Sequence, residues 1–416
     1  DFATVKALLI CKPLSVSSLV LFCSCGVPSP VPSLSFKKDL SDLGHSFLGN
    51  SDTEMILHAF AQWGEKCLDR FIGMFAFVIY DSKEQSVFAA RDRAGVKPFF
   101  FYSDKDILLF GSELKAFHEH PEFKKEIDPS AVAAFMQFGN VPTPHCIFKN
   151  TRKLKPGHFL KINLKDRSIR EEQYWNVYDA YNRPKLNLSL EDAIIETEKI
   201  LSSAFNYRMV ADVPVGVFLS GGYDSAAVSS LLQKDRTEKL KTYTIAVPDI
   251  GLNEAPYAKD VANYLGTDHT EIECSQKDAV ELIADLPFYY DEPFGDSSAL
   301  PTTLVSKMAR KHVTVALSAD GGDEIFAGYN RYDYLMRHGK KIAGMPAFVR
   351  KSMAGAMEMI PADKIPVLKN KYNFHNRYEK LKGILKNPSP EQIMLSLSQQ
   401  FTDNQIDQLF APQIQL

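Results

Sequence analysis

The chain has 416 residues, 45% of them with hydrophobic side chains, which is enough to build two hydrophobic cores. A formal net charge of −3 and a pI near 6.4 give no electrostatic attraction to nucleic acid or to an anionic membrane surface. No uninterrupted apolar run reaches membrane-spanning length, and the six cysteines show no short metal-ligand spacing, which predicts thiols in a reducing cytoplasm.

The first 36 residues differ in composition from the rest of the chain. They are rich in Ser, Pro and Cys, and residues 8–25 form an apolar stretch similar to the core of a signal peptide. Because Pro13 and several serines interrupt that stretch, we interpret residues 1–36 as an atypical leader, foreign or mistranslated, rather than a secretion signal.

The following residues carry the patterns of a mixed domain. Apolar side chains at positions 55, 56, 59 and 63 share one face of a predicted helix. Two pairs of short runs rich in aromatic and apolar residues predict antiparallel hairpins. The four strands are expected at residues 75–80, 87–90, 99–102 and 108–111.

A polar stretch separates this domain from a second one. Residues 175–189 contain Pro184 and several asparagines, which is typical of a linker. A helical pattern at residues 190–210 opens the second domain, and residues 353–416 are also predicted to be helical.

The most informative stretch is Leu-Ser-Gly-Gly-Tyr-Asp-Ser at residues 219–225. It follows an apolar run at residues 213–219 that predicts a buried parallel strand, and it precedes a helical run at residues 226–233. A strand, a glycine turn and a helix in this order leave unpaired N–H groups at a helix N-terminus, where anions bind. An ordinary turn rich in Ser and Gly is the alternative.

Each residue type in this loop suits a phosphate site. Gly221 and Gly222 let the main chain come close to a phosphate, and Ser220 and Ser225 add hydroxyl donors. Asp224 would repel a phosphate by itself, so its presence favours a Mg²⁺ ion between the two. The loop lacks the Lys of a Walker motif. It matches Ser-Gly-Gly-x-Asp-Ser, the pyrophosphate loop of enzymes that split ATP into AMP and pyrophosphate.

A second acidic loop supports the first. A short β-branched run at residues 312–317 predicts another strand, and Ser-Ala-Asp-Gly-Gly-Asp-Glu follows at residues 318–324. In an open parallel sheet the ligand lies beyond the carboxyl ends of the strands, so both loops would face one crevice. Asp224 and Asp323 could then hold one metal ion from opposite sides, unless the second loop is only a solvated turn.

Between roughly residues 41 and 340 the chain resembles the glutamine-dependent asparagine synthetase family. The shared stretches include residues 51–54, 70–77, 90–98, 112–115, 155–158, 219–225, 291–293 and 318–324. The resemblance implies an α/β protein with a truncated N-terminal nucleophile-type αββα glutaminase domain at residues 37–174. A doubly wound parallel-sheet, ATP-binding synthetase domain with the pyrophosphate loop would occupy residues 190–416 and be incomplete at its C-terminus.

The resemblance also implies the reaction and its residues. The carboxylate of aspartate would attack ATP to form an acyl-adenylate, pyrophosphate would leave on Mg²⁺, and ammonia would then give asparagine. Leu219 and Ile245 would flank the adenine, and the main chain of Ser318 and Ala319 would border the ribose and adenine. Asp320, where most asparagine synthetases have Glu, would guide or deprotonate the ammonia. The expected protein is a cytoplasmic enzyme that could be a homodimer, with small-molecule substrates and no nucleic-acid or membrane partner.

The glutaminase half departs from the family pattern. Family members use an N-terminal Cys, whose thiolate attacks glutamine and whose free α-amino group is the base. This chain starts with Asp1, and too few positions separate Cys25 from Ser51 for the missing glutamine-contact blocks. We therefore predict an inactive glutaminase. Asp52 matches the family residue that pairs with the glutamine α-amino group, although it could be only a helix N-cap.

Three functions stay open at this level. The first is the asparagine synthetase reaction with free ammonia. The second is the same chemistry on a sugar acid or another carboxylate in cell-surface polysaccharide assembly, because relatives with Asp-Gly-Gly-Asp-Glu act on other carboxylates. The third is a non-catalytic fragment that binds nucleotide or a partner chain. Asp291, Glu292 and Pro293 could shape the acceptor pocket, or could form a turn or helix cap.

Overall fold

The computed structural model describes residues 14–16, 19–23, 34–105, 107–246, 253–360, 362–365 and 374–410. Packing divides the chain into two compact units. Unit 1 comprises Asp1–Glu126, Thr143–Asp291 and Ser298–Ser318, and unit 2 comprises Ile127–Pro142, Glu292–Ser297 and Ala319–Leu416.

The first part of unit 1 is built from antiparallel strands. They are β1 (Leu14–Val16), β2 (Leu19–Cys23), β3 (Ala76–Asp81), β4 (Ser86–Arg91), β5 (Phe100–Asp104), β6 (Ile107–Gly111), β7 (Thr151–Lys153), β8 (His158–Asn163) and β9 (Ile169–Gln173). The larger sheet has the order β1-β2-β3-β4-β8-β9, and the smaller sheet has the order β6-β5-β7. The predicted hairpins are confirmed as β3–β4 and β5–β6.

The helices in this part of unit 1 are α1 (Leu34–Asp42), α2 (Asp52–Trp63), α3 (Cys67–Arg70), α4 (Lys115–His118) and α6 (Val177–Tyr181). The helix α5 (Pro129–Phe138) lies between α4 and α6 in the chain but belongs to unit 2. The helix predicted from positions 55–63 is confirmed as α2, with Met55, Ile56 and Ala59 buried.

The larger sheet has a hydrophobic core on each face because side chains alternate along its strands. Phe77 of β3 packs in a cluster with Ile56 of α2. The next residue, Val78, belongs to a different cluster that contains Phe101 of the smaller sheet. Helices therefore cover one face of the larger sheet, and the smaller sheet covers the other face.

The shared stretch at residues 90–98 forms part of this framework. The Arg91 guanidinium donates hydrogen bonds to the carbonyl oxygens of Leu154, Gly95 and Lys97 at 2.6, 2.7 and 2.8 Å. The Asp92 carboxylate, which is 1% exposed, accepts from the Lys97 N–H at 2.9 Å. Buried charges need such partners, so these contacts give the stretch a structural role.

The second part of unit 1 alternates helices with parallel strands. Its elements are α7 (Leu190–Met209), β10 (Val215–Phe218), α8 (Tyr223–Gln233), β11 (Lys241–Ala246), α9 (Ala255–Leu265), β12 (Asp268–Glu273), α10 (Gln276–Ile283), α11 (Leu286–Tyr289), α12 (Ala299–Ala309) and β13 (Val315–Leu317). The strands have the order β12-β11-β10-β13, and all neighbours are parallel. The order reverses between β10 and β13, as it does at the switch point of a doubly wound sheet. The predicted fold class and the predicted helix α7 are therefore confirmed.

The two strands predicted around the candidate loops are present but shorter than predicted. At residues 312–317 only β13 is a strand, because the N–H groups of His312 and Val313 donate to the Ala309 carbonyl at 2.9 and 2.8 Å and close the end of α12. At residues 213–219 the strand starts after Pro214, which has no N–H group to donate.

Unit 2 is helical in its described residues. Besides α5 it contains α13 (Gly322–Phe326), α14 (Asn330–Tyr334), α15 (Lys340–Ala343), α16 (Ala347–Met359), α17 (Phe374–Lys386), α18 (Pro390–Ser398) and α19 (Asp403–Leu409). The Gln137 side chain of α5 donates to the Asp403 carboxylate of α19 at 2.5 Å. The helical prediction for the C-terminal residues is confirmed where they are described.

The segments interpreted as a leader and as a linker both contain regular structure. The segment interpreted as a leader supplies β1 and β2, and β2 pairs with β3 from Leu19 to Cys23. The predicted linker contains α6, which Asn176 caps through its side chain. Asp1 and Cys25, on which the glutaminase prediction depends, lie outside the described residues. Among the helices of the described residues, none is long and apolar enough to cross a membrane.

Candidate active site

The loop at residues 219–225 lies at the carboxyl end of β10, beside the strand-order reversal. Val217 of β10 is in register with Leu317 of β13, so Ser318 leaves the sheet at the same edge as the loop. Ligands of doubly wound proteins bind at this edge. The structure therefore places the loop and Ser318 where the sequence analysis expected a ligand.

Gly221 is required by the local backbone. Its φ of +82° lies in the left-handed region, and a Cβ atom there would come within 2.7 Å of the Ala258 nitrogen and the Tyr257 Cβ atom. The loop consequently packs directly on α9. Gly222 differs, because a Cβ atom at that position would meet only the Ser220 hydroxyl, at 3.4 Å.

The two loop serines hydrogen-bond to each other. The Ser220 and Ser225 hydroxyl oxygens are 2.9 Å apart, and the Ser220 N–H donates to the Ser225 hydroxyl at 3.1 Å. The Gly222 N–H donates to the Ser220 hydroxyl at 3.3 Å. These bonds hold the loop in shape, with Ser225 buried and Ser220 exposed.

Helix α8 begins at this loop without a side-chain cap. Gly222 is its N-cap residue, and no side chain accepts from the first N–H groups of the helix. Asp224 lies in the first turn and is exposed. Uncapped N–H groups attract an anion, and a neighbouring carboxylate suits a cation bound to that anion.

The predicted adenine neighbours lie on the same sheet. Leu219 is 1% exposed and packs against Ala258 and Ala262 of α9, so its side chain belongs to the core in this structure. Ile245 near the end of β11 is half-buried. A role for both residues beside adenine stays a prediction.

The second acidic loop continues from Ser318 into unit 2. Ala319 is half-buried and Asp320 is exposed, and Gly321 has a φ of +96° at the N-cap of α13. Asp323 lies in the first turn of this short helix. Among the described residues, no group of three or more His, Cys, Asp or Glu side chains could hold a metal ion. The shared metal site of Asp224 and Asp323 stays a prediction.

Asp52 is not the N-cap of α2, contrary to one of the two predictions for it. Ser51 takes that position, and its hydroxyl accepts from the Glu54 N–H at 3.3 Å. Burial raises the pKa of the Asp52 carboxyl to about 6, and the negative charge of Asp212 adds to the effect. A cationic group bound beside Asp52 would favour its charged form.

Asp291 makes a contact that the sequence analysis missed. Its carboxylate accepts from the Leu114 N–H at 2.6 Å and lies 2.9 Å from the Lys115 ammonium group, which is also 3.0 Å from Glu113. Burial by itself would lower the pKa of Lys115, but hydrogen bonds to Asp291 and Glu113 outweigh it and raise the pKa. Asp291 therefore joins two of the shared stretches, at residues 112–115 and 291–293, and is neither a helix cap nor a simple turn residue.

Two family models match this chain. The family model described as asparagine synthase matches residues 196–405, and the glutamine amidotransferase domain model matches residues 33–175. The chain belongs to the asparagine synthase family.

Relatives of this asparagine synthase family member are known from archaea, bacteria and fungi. The chain is 40% identical to "Putative asparagine synthetase (glutamine-hydrolyzing) 2" of Methanocaldococcus jannaschii over 79% of this chain and 61% of the relative. It is 34% identical to asparagine synthetase (glutamine-hydrolyzing) 3 of Bacillus subtilis, over 70% of this chain and 49% of that protein. Amidase chry2 of Gibberella zeae is 29% identical over 71% of this chain and 46% of its own length. The chain thus spans between about half and three fifths of these relatives.

A solved structure of B. subtilis glutamine phosphoribosylpyrophosphate amidotransferase aligns with 70% of this chain and 79% of its own. The TM-score is 0.29 and the identity is 15%, so the superposition is too loose to support an inference.

Proposed function

We propose that this asparagine synthase family member is an ATP-dependent ligase that forms a carbon–nitrogen bond. The acceptor is aspartate, the nitrogen comes from free ammonia, and ATP is split into AMP and pyrophosphate. The observation that supports this proposal most strongly is the loop at residues 219–225, an uncapped, glycine-containing helix start at the switch point of a parallel sheet.

The proposed reaction is the one that the family resemblance implies. The acceptor carboxylate attacks the α-phosphorus of ATP, the bond to pyrophosphate breaks, and an acyl-adenylate forms. Ammonia then attacks the acyl carbon, and AMP leaves as the amide forms. The first step brings two anions together, so it needs the phosphate charge neutralised; the N–H groups at the start of α8 and the Ser220 hydroxyl supply donors for this purpose.

The carboxylates of Asp224 and Asp323 fit a Mg²⁺ ion, because hard oxygen ligands are what this ion prefers. Asp224 is exposed and pairs with no basic side chain in the described part of the chain. Mg²⁺ is commonly held by one or two carboxylates together with substrate phosphates. When bound, the ion would neutralise phosphate charge.

The first experiment measures pyrophosphate release from ATP in the presence of aspartate and ammonium. Asp224→Asn should lower the rate by roughly 10²–10³-fold, the range seen when one preorganised electrostatic contact is lost. Asp235→Asn is the matched control, because Asp235 is also exposed and follows the other end of α8. Equal rates for wild type and Asp224→Asn would remove Asp224 from the site, and absence of any release by wild type would favour the non-catalytic alternative.

Asp320 is proposed to act on the ammonia after adenylation. Asp320→Ala should reduce amide formed per adenylate while ATP binding stays unchanged, and Asp320→Glu should keep activity if the pocket accepts one more methylene. If the Ala variant loses ATP affinity and thermal stability together with an unchanged yield, Asp320 only supports the turn at Gly321.

A different acceptor is the second candidate function. The sequence Asp-Gly-Gly-Asp-Glu at residues 320–324, which is shared with relatives that act on other carboxylates, supports a carboxylate other than aspartate as this candidate. The test is a panel of carboxylates, including amino acids and sugar acids, in the pyrophosphate assay. The acceptor with the highest kcat/KM identifies the substrate class.

Glutamine as the nitrogen source is tested separately. We propose that Asp52 pairs with the α-amino group of glutamine, because that cation would relieve the cost of ionising a half-buried carboxyl group. Calorimetric binding of glutamine that is equally tight in wild type and Asp52→Asn would argue against this role, and this measurement does not require an active glutaminase.

A further inference from the structure

Arg331 has a distinctive environment in unit 2. It lies in the first turn of α14, and its guanidinium carbon is 4.0 Å from the centre of the Tyr329 ring and 5.7 Å from that of Tyr332. The two rings are themselves 5.7 Å apart. An arginine stacked on aromatic faces keeps its in-plane N–H groups available while its position is fixed.

The neighbouring carboxylates have other partners. The Tyr329 hydroxyl donates to Glu324 at 2.7 Å, and Asp333 accepts from Arg337 at 2.6 Å. Within the described ranges, Arg331 forms no ion pair with an Asp or Glu. A half-buried guanidinium that is held in place and not neutralised is suited to bind an anion from outside the protein.

Arg331 is also close in sequence to the acidic loop. Arg331 stacks on Tyr329. The hydrogen bond from Tyr329 to Glu324 is the main cause that raises the pKa of the Tyr329 hydroxyl to about 12, and burial is the second cause. The nearby charges of Asp323 and Arg331 also act on this hydroxyl. The stack therefore connects Arg331 to α13, where Asp323 and Glu324 lie. The Arg331 cation is thus linked through Tyr329 to the acidic residues of α13.

We propose that Arg331 binds an oxyanion of the substrates, either a carboxylate of the acceptor or a phosphate of ATP. Both oxyanions would be bound in the same way, because the planar guanidinium fork can donate two parallel N–H hydrogen bonds to two oxygens of a carboxylate or a phosphate. Tyr329 and Tyr332 are positioning residues for this fork. The inference rests on the proposed ligase function and adds a substrate-binding residue to it.

The test compares Arg331→Met and Arg331→Lys with wild type. Arg337→Met is the matched control, because Arg337 lies in the helical segment that directly follows α14 and is neutralised by Asp333. We expect Arg331→Met to raise the KM for either the acceptor or ATP by roughly 10–100-fold, as expected when a hydrogen bond to a charged group is lost. Arg331→Lys keeps the charge without the fork and should give an intermediate value, and Arg337→Met should match wild type within about twofold. Circular dichroism verifies that each variant is folded.

The two sources of the oxyanion give different results. A raised KM for the acceptor with an unchanged KM for ATP identifies a carboxylate, and the reverse identifies a phosphate. Unchanged values for both in a folded Arg331→Met or Arg331→Lys variant would overturn the inference. Calorimetric binding of L-aspartate and of ATP supplies a readout independent of turnover. One outcome separates the two proposals: wild type binds aspartate or ATP, Arg331→Met binds the same ligand more weakly, and no product forms. In that case the proposed function fails and the inference about Arg331 stands. If wild type binds neither, the inference fails.

Discussion

The contrast between Gly221 and Gly222 allows a direct test of the loop geometry. Gly221→Ala places a methyl group against the backbone of α9, at 2.7 Å from the Ala258 nitrogen, in a left-handed conformation with φ +82°. The left-handed conformation costs an Ala roughly 1–2 kcal/mol, and overpacking adds about 1–3 kcal/mol. We therefore expect Gly221→Ala to lower the free energy of unfolding by about 2–5 kcal/mol.

Gly222→Ala, at the next position of the chain, provides the matched control. Gly222 has a φ of −73°, and its added Cβ atom would meet only the Ser220 hydroxyl at 3.4 Å. Its free energy of unfolding should stay within about 1 kcal/mol of wild type, since Gly to Ala at an N-cap has a small effect. Pyrophosphate release by this variant should nevertheless fall, because the methyl group stands where a phosphate would approach the main chain.

The assay is urea unfolding followed by far-UV circular dichroism, with the m-values compared to ensure that the same transition is measured. The reasoning about α9 is refuted if Gly221→Ala unfolds within about 0.5 kcal/mol of wild type. A Gly222→Ala variant that is folded and fully active would instead refute the close approach of phosphate to the loop.

Two further predictions concern carboxylates outside the loop. Asp291→Asn should lower the free energy of unfolding by about 1–3 kcal/mol, because the change replaces one of the two accepting oxygens with an NH2 donor and removes the charge that pairs with Lys115. Glu113→Gln should lower it by under about 0.5 kcal/mol, since the Glu113 side chain is 59% exposed. Fluorescence of the two tryptophans, which both lie in the first part of unit 1, reports the unfolding. An equal decrease in the free energy of unfolding for Asp291→Asn and Glu113→Gln would contradict the importance of the Asp291 contact. For Asp52, the folded-state pKa of about 6 exceeds the ordinary value of 3.8, so the folded protein binds this proton more tightly than the unfolded chain. The stability from that proton is complete below about pH 4 and is lost as the pH rises to about 6, so Asp52→Asn should be more stable at pH 7 by on the order of 1–3 kcal/mol. A pH profile of the urea midpoint that is the same for wild type and Asp52→Asn would disprove this.

Local sequence determined the elements around the candidate site. The strand, glycine turn and helix that form β10, the loop and α8 follow from an apolar run, two glycines and a helix-forming segment, and each depends on neighbours a few positions away. The N-cap of α2 was also readable, because Ser51 precedes Glu54 by three positions, although the prediction placed the cap at Asp52. Short-range hydrogen bonds set such features, so sequence alone is sufficient for them.

Contacts between distant residues were decided only by the tertiary structure. Leu114 and Asp291 are 177 positions apart, and no composition or periodicity relates them. Gly221 is a second example. The turn at Gly221 was predicted from neighbouring residues, but the contact of Gly221 with α9 depends on how that helix packs on the sheet. The sequence showed that Leu219 is apolar, whereas the packing of Ala258 and Ala262 decided that its side chain is 1% exposed. The physical reason is that such contacts depend on the packing of whole elements, which no short stretch of residues specifies.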